Sequence, residues 1–347
     1  MSNKTAAGGK APMPAAVEKE AQRLYAKLKH VGFNLGYCRL IAPLTLEINR
    51  LKKEKNAVIL AHSYQTPDIV YGVADFYGDS YGLSVAAGKT KAKTIVFAGV
   101  KFMAETAKIL NPAKKVLLPA PDAGCSLSDS ITAADVRALK RKHQGAPVVV
   151  YVNTSADVKA EADSCCTSSN ALKIIEGFES DKVIFLPDAL MGENLQKKTK
   201  KKLILWPGKC IVHDEFKPSA IMTFKKNTPG LKVMAHLECS PEVVALADMA
   251  GGTEDMIRYV KTTDAKAYML VTECGLTDRM KVEFPKKRFT GMCSMCPYMK
   301  KTSLPMILQV LKKARKDQVV DVPEKVRRKA EKALKMMFEL TERAILD

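Results

Sequence analysis

Ala57-Val58-Ile59-Leu60-Ala61-His62 opens the stretch on which the fold turns. It continues through Tyr64-Gln65-Thr66-Pro67-Asp68-Ile69-Val70, Ala74-Asp75 and Gly78-Asp79-Ser80. The pattern is an apolar strand ending in Ala-His, a helix opened by Pro and an acid, an Ala-Asp pair, a Gly and a hydroxyl. It returns in register as Lys232-Val233-Met234-Ala235-His236-Leu237-Glu238, Pro241-Glu242-Val243-Val244, Ala247-Asp248 and Gly251-Gly252-Thr253. A looser copy runs Val148-Val149-Val150-Tyr151-Val152-Asn153, Ala156-Asp157-Val158-Lys159-Ala160, Ala162-Asp163 and Thr167-Ser168-Ser169. Self-similarity at a fixed spacing marks a repeated structural unit.

Each copy continues alike. A second apolar run follows as Thr94-Ile95-Val96-Phe97, Val183-Ile184-Phe185-Leu186 and Ala267-Tyr268-Met269-Leu270. A third follows as Val116-Leu117-Leu118, Leu203-Ile204-Leu205-Trp206 and a weaker Arg288-Phe289-Thr290. Short continuous apolar runs separated by helical stretches predict buried parallel strands in βαβ units, so nine strands in an α/β fold. Ligands of such sheets gather at the carboxyl ends of the strands. Those ends carry His62, Tyr64, Tyr151, Asn153, His236 and Glu238.

After each third run comes a Gly- or Pro-rich loop with one cysteine: Cys125 in Ala123-Gly124-Cys125, Cys210 in Trp206-Pro207-Gly208-Lys209-Cys210, and Cys296 in Cys293-Ser294-Met295-Cys296-Pro297. The cadence predicts three thiolates delivered to one centre. Three thiolates can hold an iron–sulfur cluster and leave one iron open as a Lewis acid. Cys293-x-x-Cys296 also has the spacing of a zinc half-site or a redox pair. Cys165 and Cys166 are adjacent and poorly placed to share a metal. Cys38, Cys239 and Cys274 are isolated and read as small buried hydrophobes.

Of five histidines, His30 and His143 sit in charged stretches, while His62, His213 and His236 follow a strand or a site cysteine. Glu238 stands two residues past His236, where a carboxylate could serve as general acid or base. Gly78-Asp79-Ser80, Thr167-Ser168-Ser169-Asn170 and Gly251-Gly252-Thr253 present hydroxyls and free N–H groups at helix ends. Singly these are ordinary N-caps; in three copies they suit a substrate with several anionic groups.

Lys and Arg outnumber Asp and Glu by 56 to 37, a formal charge of +19. That favours anionic substrates. Charge alone also allows nucleic acid, but no finger, RNP or arginine-rich motif accompanies it, so nucleic acid is set aside as the partner. No apolar run approaches 18 residues and no secretory leader pattern is present, so the reading is a cytoplasmic protein in a reducing compartment, with no membrane partner. Residues 1–20 read as a loose tail. Helices are predicted from Ala15 to Lys29, from Pro43 to Lys55, after Lys300, and from Pro323 to about Ile345.

The chain resembles the quinolinate synthase (quinolinate synthetase A) family from about Val58 to Thr302. The resemblance rests on Ala61-His62-x-Tyr64-Gln65, Gly78-Asp79-Ser80, Gly99-Val100-Lys101-Phe102-Met103-Ala104-Glu105-Thr106-Ala107, Ala123-Gly124-Cys125 and Tyr151-Val152-Asn153-Thr154-Ser155-Ala156. It rests equally on Cys166-Thr167-Ser168-Ser169-Asn170-Ala171, Trp206-x-Gly208-x-Cys210-x-Val212-His213, His236-x-Glu238-Cys239 and Cys296-Pro297-x-Met299-Lys300. Three departures stand out: Leu237 where Pro is common, Ser63 where Asn or Tyr is common, and Lys101 where His is usual.

The resemblance implies a 4Fe-4S cluster on Cys125, Cys210 and Cys296. It implies contacts to iminosuccinate from His62, Ser80, Tyr151, Val152, Asn153, Ser168, His236, Leu237, Glu238 and Thr253. Tyr64 and His213 match further active-site positions, so the implied catalytic set is Glu238, Tyr64, His62, His213 and His236. The implied reaction condenses iminosuccinate with dihydroxyacetone phosphate to quinolinate, releasing phosphate and water, in NAD biosynthesis. A transient aspartate-oxidising partner would supply the first substrate. The implied architecture is three homologous three-layer βαβ domains around a pseudo-threefold axis, with the site at the central interface. Its boundaries fall at 21–127 plus 303–347, 128–213 and 214–302. The competing function is an open-iron hydratase or dehydratase acting on a small carboxylic acid.

Overall fold

The computed structural model describes residues 14–346. Eleven strands form three separate sheets, all parallel. The first comprises β1 (Ala57–His62), β2 (Phe76–Gly78), β3 (Thr94–Ala98) and β4 (Lys115–Leu117). The second comprises β5 (Val148–Tyr151), β6 (Ser164–Cys166), β7 (Lys182–Leu186) and β8 (Lys202–Leu205). The third comprises β9 (Leu231–His236), β10 (Met249–Gly251) and β11 (Ala267–Val271). The spatial orders are β2-β1-β3-β4, β6-β5-β7-β8 and β10-β9-β11, one winding used three times.

Three corrections to the sequence reading follow. Short strands β2, β6 and β10, where the sequence has only the Ala-Asp-to-Gly stretch, complete each sheet edge. Arg288-Phe289-Thr290, expected as a strand, gives one isolated bridge between Phe289 and Tyr268. Only Tyr268 is bonded there, its N–H donating to Arg288 O and its carbonyl accepting the Thr290 N–H, both at 2.9 Å. The helix predicted from Pro43 starts at Leu35, capped by Asn34 Oδ1 on the Tyr37 N–H (2.8 Å), and carries Pro43 in its interior through to Glu54. Cys38, Ile41, Ala42, Thr45 and Ile48 around that proline are buried against the preceding helix, Ala15–Leu28, and this packing outweighs the missing N–H.

The Ala-Asp of each repeat has a defined task. Asp75 Oδ2 accepts the Ile59 N–H (2.8 Å), Asp163 Oδ2 the Val148 N–H (2.8 Å), and Asp248 Oδ2 the Val233 N–H (2.9 Å). Each aspartate N–H donates back to the carbonyl of the same strand residue, at 2.9, 2.9 and 2.7 Å. A carboxylate at this point satisfies the start of the central strand, where no neighbour reaches. The helices after β1, β5 and β9 are entered through Thr66-Pro67, Ser155-Ala156 and Ser240-Pro241, hydroxyl residues at the N-cap with Pro at N1 in two of the three.

The inner strands β1, β3, β5, β7, β9 and β11 are buried on both faces, as parallel sheets demand, whereas Phe76 and Tyr77 on the edge strand β2 are exposed. One continuous apolar core joins the inner faces of the first and second sheets, through Leu60, Ile95, Phe97, Val149, Ile184 and Phe185. The third sheet has its own core on each face. Residues Ala15 to Glu20, expected in the loose tail, are already helical, and residues 1–13 lie outside the described chain. Helix Leu304–Lys312 lies against helix Leu35–Glu54 and the first sheet. The last helix, Glu324–Leu346, lies mainly against β6 and the helices of the second sheet, with Asn170 Nδ2 donating to Thr341 Oγ1 (2.9 Å). Among the described residues no helix is long and apolar enough to cross a membrane.

Candidate active site

The carboxyl ends of all three sheets open on one shared cavity, the place where ligands of parallel sheets gather. His62, Tyr64, Ser80, Cys125, Tyr151, Asn153, Ser168, Cys210, His213, His236, Glu238, Thr253 and Cys296 all line it. Val152 and Leu237 do not. Both are buried in the apolar core, and they offer the site backbone only.

Strand pairing places these residues in matched sets. His62 pairs with Gly78, Tyr151 with Cys166, and His236 with Gly251. Counting from those pairs, His62, Tyr151 and His236 are equivalent, as are Tyr64, Asn153 and Glu238, and Ser80, Ser168 and Thr253. Ser80 and Thr253 are the first residues of ten-residue helices, so their hydroxyls stand beside free N–H groups at a positive dipole end. Gly252 is required beside Thr253, because a Cβ there would lie 2.5 Å from Ser168 Oγ.

The cysteines are matched in the same way. The Lys101 N–H donates to Ala123 O (2.8 Å), Ala189 N–H to Gly208 O (2.9 Å), and Cys274 N–H to Ser294 O (3.1 Å). In each case the cavity cysteine lies two residues beyond the accepting carbonyl: Cys125, Cys210 and Cys296. Contacts between the three loops form a ring. Ser126 Oγ donates to Lys209 O (3.1 Å) and accepts the Ile211 N–H (3.2 Å), bracketing Cys210. Ser294 Oγ donates to Glu215 Oε2 (2.5 Å), and Lys301 Nζ reaches Asp122 Oδ2 (2.6 Å).

Cys293 takes another partner. It is disulfide-bonded to Cys274, with Cα atoms 4.9 Å apart. This corrects the reading of Cys274 as an isolated hydrophobe. It also removes the zinc half-site and the Cys293–Cys296 redox pair, since the Cys293 sulfur is committed.

Two imidazoles are fixed in one tautomer by the backbone. The Tyr64 N–H donates to His62 Nδ1 (3.2 Å) and the Glu238 N–H to His236 Nδ1 (3.3 Å). A neutral ring that accepts at Nδ1 carries its proton at Nε2. Burial keeps both rings neutral, pushing His62 down to about 3 and His236 down to about 4. His236 Nδ1 also lies 3.6 Å from Glu238 Oε1, but with no proton there the contact is not an ion pair.

Glu238 is buried and ionised. Burial pushes its carboxyl up, but the His213 and His236 imidazoles and hydrogen bonds from His213 and Tyr151 outweigh that and hold it well below the usual range. Tyr151 Oη donates to Oε1 (2.5 Å) and His213 Nδ1 to Oε2 (2.9 Å). His213 Nε2 is hydrogen-bonded to Thr272 Oγ1 (3.0 Å), which is hydrogen-bonded to Tyr64 Oη (2.9 Å). Tyr64, Thr272, His213, Glu238 and Tyr151 are thus one unbroken hydrogen-bonded chain. Burial pushes both phenols up, so they stay protonated. Thr272 is a residue the sequence reading missed. Its signal was its place directly after β11, at a strand's carboxyl end. Asp79, Phe102, Met103, Thr167, Tyr298 and Met299 also line the cavity without having been singled out as site residues.

The donor set suits a soft metal centre. Burial pushes the Cys125 thiol up to about 12 and raises those of Cys210 and Cys296 as well. Three such thiols gathered on one cavity cannot ionise without a cation, and a coordinating metal deprotonates them outright. Cys210, His213 and Glu238 also have donor atoms within 4.8 Å of one another. His213 Nδ1 keeps its proton to donate a hydrogen bond to the ionised Glu238, however, and so has no lone pair for a metal. Asn153 Oδ1 is buried with no partner, an acceptor left for a ligand.

Fold and cavity together define an α/β enzyme of parallel sheets whose strand ends present thiols, neutral imidazoles and one ionised carboxylate to a shared small-molecule cavity. The family profile described as Quinolinate synthetase A protein matches residues 46–339, and the chain belongs to that family. It is similar to the quinolinate synthase of Sinorhizobium medicae, 47% identical over 306 residues, covering 88% of this chain and 85% of that protein. It is similar to that of Caulobacter vibrioides, 44% identical over 333 residues, covering 95% and 90%. To that of Xylella fastidiosa it is 48% identical over 289 residues, covering 83% and 85%.

Proposed function

We propose that this chain is a quinolinate synthase that condenses iminosuccinate with dihydroxyacetone phosphate to quinolinate, releasing phosphate and water, and that Cys125, Cys210 and Cys296 hold a 4Fe-4S cluster for that work. The observation that carries the reading is the gathering of the three matched cysteines on one cavity with two neutral Nε2–H donors and an ionised Glu238. The shared strand order, the repeated Asp–backbone pairs and the matched cysteine loops support three homologous units around a pseudo-threefold axis. Such an arrangement accounts for one site made from three loops. The reading places the enzyme in the cytoplasm, with small anionic substrates and an aspartate-oxidising enzyme as supplier.

Bound there, the cluster supplies an open iron, a Lewis acid for an oxygen that must leave as water. The protein supplies the rest. His62 and His236 donate from Nε2 to carboxylate or carbonyl oxygens without adding charge. Ser80, Ser168 and Thr253 add hydroxyls and helix-end N–H groups for the remaining anionic oxygens, and Asn153 adds an acceptor for an N–H or O–H. Glu238 takes up protons released in the condensation. Tyr64, kept protonated by burial, can donate from Oη to a substrate oxygen. A buried chain of this kind holds protons at defined atoms while the closed cavity limits water.

The test is an anaerobic preparation reconstituted with ferrous iron, sulfide and thiol, then given both substrates. Quinolinate and phosphate should appear in equal amounts, and activity should decay in air and return on reconstitution. Full activity in a metal-free, air-purified sample would sink the cluster. Hydration of a carboxylic acid with no phosphate release would sink the reaction and favour the hydratase.

A further inference from the structure

Two buried side chains outside the cavity do the same job in two different repeats. Lys159, fully buried, donates from Nζ to Val152 O (2.8 Å) and to Thr154 O. Asn194, 2% exposed, donates from Nδ2 to Leu237 O (2.9 Å) and Cys239 O (2.8 Å). Counted from Tyr151 and His236, the matched strand ends, Val152 corresponds to Leu237 and Thr154 to Cys239. The same two carbonyls of the turn after the central strand are therefore gripped twice, by unrelated residues reaching from different helices. Lys159 comes from its own unit's helix Ala156–Lys159, and Asn194 from helix Ala189–Gln196 of the neighbouring one.

The residue between the two gripped carbonyls faces the cavity in each case: Asn153 in one turn, Glu238 in the other. The two turns meet at the Tyr151–Glu238 bond of 2.5 Å. Neither donor is there for stability alone. Lys159 is an amine whose pKa burial lowers, with no carboxylate in salt-bridge range among the described residues, and Asn194 leaves its own Oδ1 without a partner. Buried groups so poorly compensated are costly, and apolar residues would fill the space more cheaply. Lys159 also stands 5.4 Å from the Phe102 ring centroid, a cavity wall.

We propose that Lys159 and Asn194 are positioning residues, a matched pair of carbonyl clamps that hold the two turns so that Tyr151 and Glu238 meet in the cavity. The inference rests on the reading of the cavity as the site of quinolinate formation.

The test compares Lys159→Met and Asn194→Leu, which keep volume and remove the donors, in the reconstituted holoenzyme. Each should lower kcat about 10- to 100-fold, the size of effect a small misplacement produces. Iron and sulfide per chain should stay at the parent value. In a Tyr151→Phe background the bond to Glu238 is already gone, and each substitution should then cost less than about twofold more, the non-additivity of groups acting through one contact. A kcat within twofold of the parent in both single variants would overturn the proposal. So would an undiminished loss in the Tyr151→Phe background, or failure of both variants to fold, since either makes the residues general supports. A parent enzyme that makes no quinolinate removes the underlying reading instead, and is recognised before any variant is made.

Discussion

The loops that carry Cys210 and Cys296 occupy matched places, yet they are built differently. Cys210 follows a full strand, β8, paired with β7 over four residues, and Trp206 Nε1 anchors the loop to Ser130 O (3.0 Å). Cys296 follows no strand, only isolated bridges at Phe289 and Ser294. There the Cys274–Cys293 disulfide ties the loop to the end of β11, and Glu273 accepts the Cys296 N–H (3.1 Å) while pairing with Lys300 (2.9 Å). Lys300 in turn reaches Tyr64 O, so the loop is tied to a second cavity wall. Where a strand is missing, a covalent bond and a buried ion pair hold the cysteine in its place. A repeat can thus lose an element and keep its functional position, provided local bonds replace the ladder.

The largest test of that equivalence is substitution of the cysteines. Cys210→Ser and Cys296→Ser, like Cys125→Ser, should each abolish the stoichiometric cluster and the activity, whatever scaffold holds the loop, whereas Cys38→Ser should keep both. Iron and sulfide analysis decides this, and a cluster retained by Cys296→Ser but lost by Cys293→Ser would break the comparison. Glu238 faces both loops across the cavity. Glu238→Gln should lower kcat by about 10²–10⁴ with the cluster spectrum intact, as for a lost acid–base group. Near-normal turnover would remove it from the chemistry.

Acid should act on the strand ends rather than on the loops. The folded state keeps His62 and His236 neutral, with values of about 3 and about 4, while the unfolded chain protonates them near 6.5. Between those limits the unfolded state binds more protons, so stability rises with pH. It should therefore fall by roughly a few kcal/mol in the metal-free protein as pH drops from 7 toward 4. Urea titrations of parent and His62→Gln measure it, and equal pH slopes would contradict the burial argument. The smallest effects separate the two loops directly. Cys293→Ser should cost about 3 kcal/mol, as for a cross-link closing a loop of this size. Ser126→Ala, which loosens the Cys210 loop, should cost about 1 kcal/mol. Reversal of that order would mean that the disulfide is not what holds the third loop.

Much of this was legible in the chain. Continuous apolar runs at matched spacings required buried parallel strands, because only a sheet covered on both faces accepts them. The cadence of Cys125, Cys210 and Cys296 followed from the same repeat, since equivalent loops of equivalent sheets end at one place. The strand-end positions of His62, His236 and Glu238 were likewise fixed by local pattern.

What only the tertiary structure decided depends on contacts between residues distant in sequence. The Cys274–Cys293 pairing joins residues 19 apart through a bridge that no pattern announces. The Tyr64–Thr272–His213–Glu238–Tyr151 chain draws on all three sheets. The tautomers of His62 and His236 follow from backbone N–H groups that turn back on the rings. The ionised state of Glu238 follows from donors brought to it by two other loops. Local sequence sets periodicity and therefore elements. Protonation states and hydrogen-bond partners are properties of a buried volume, and that volume exists only once the three sheets have closed around it.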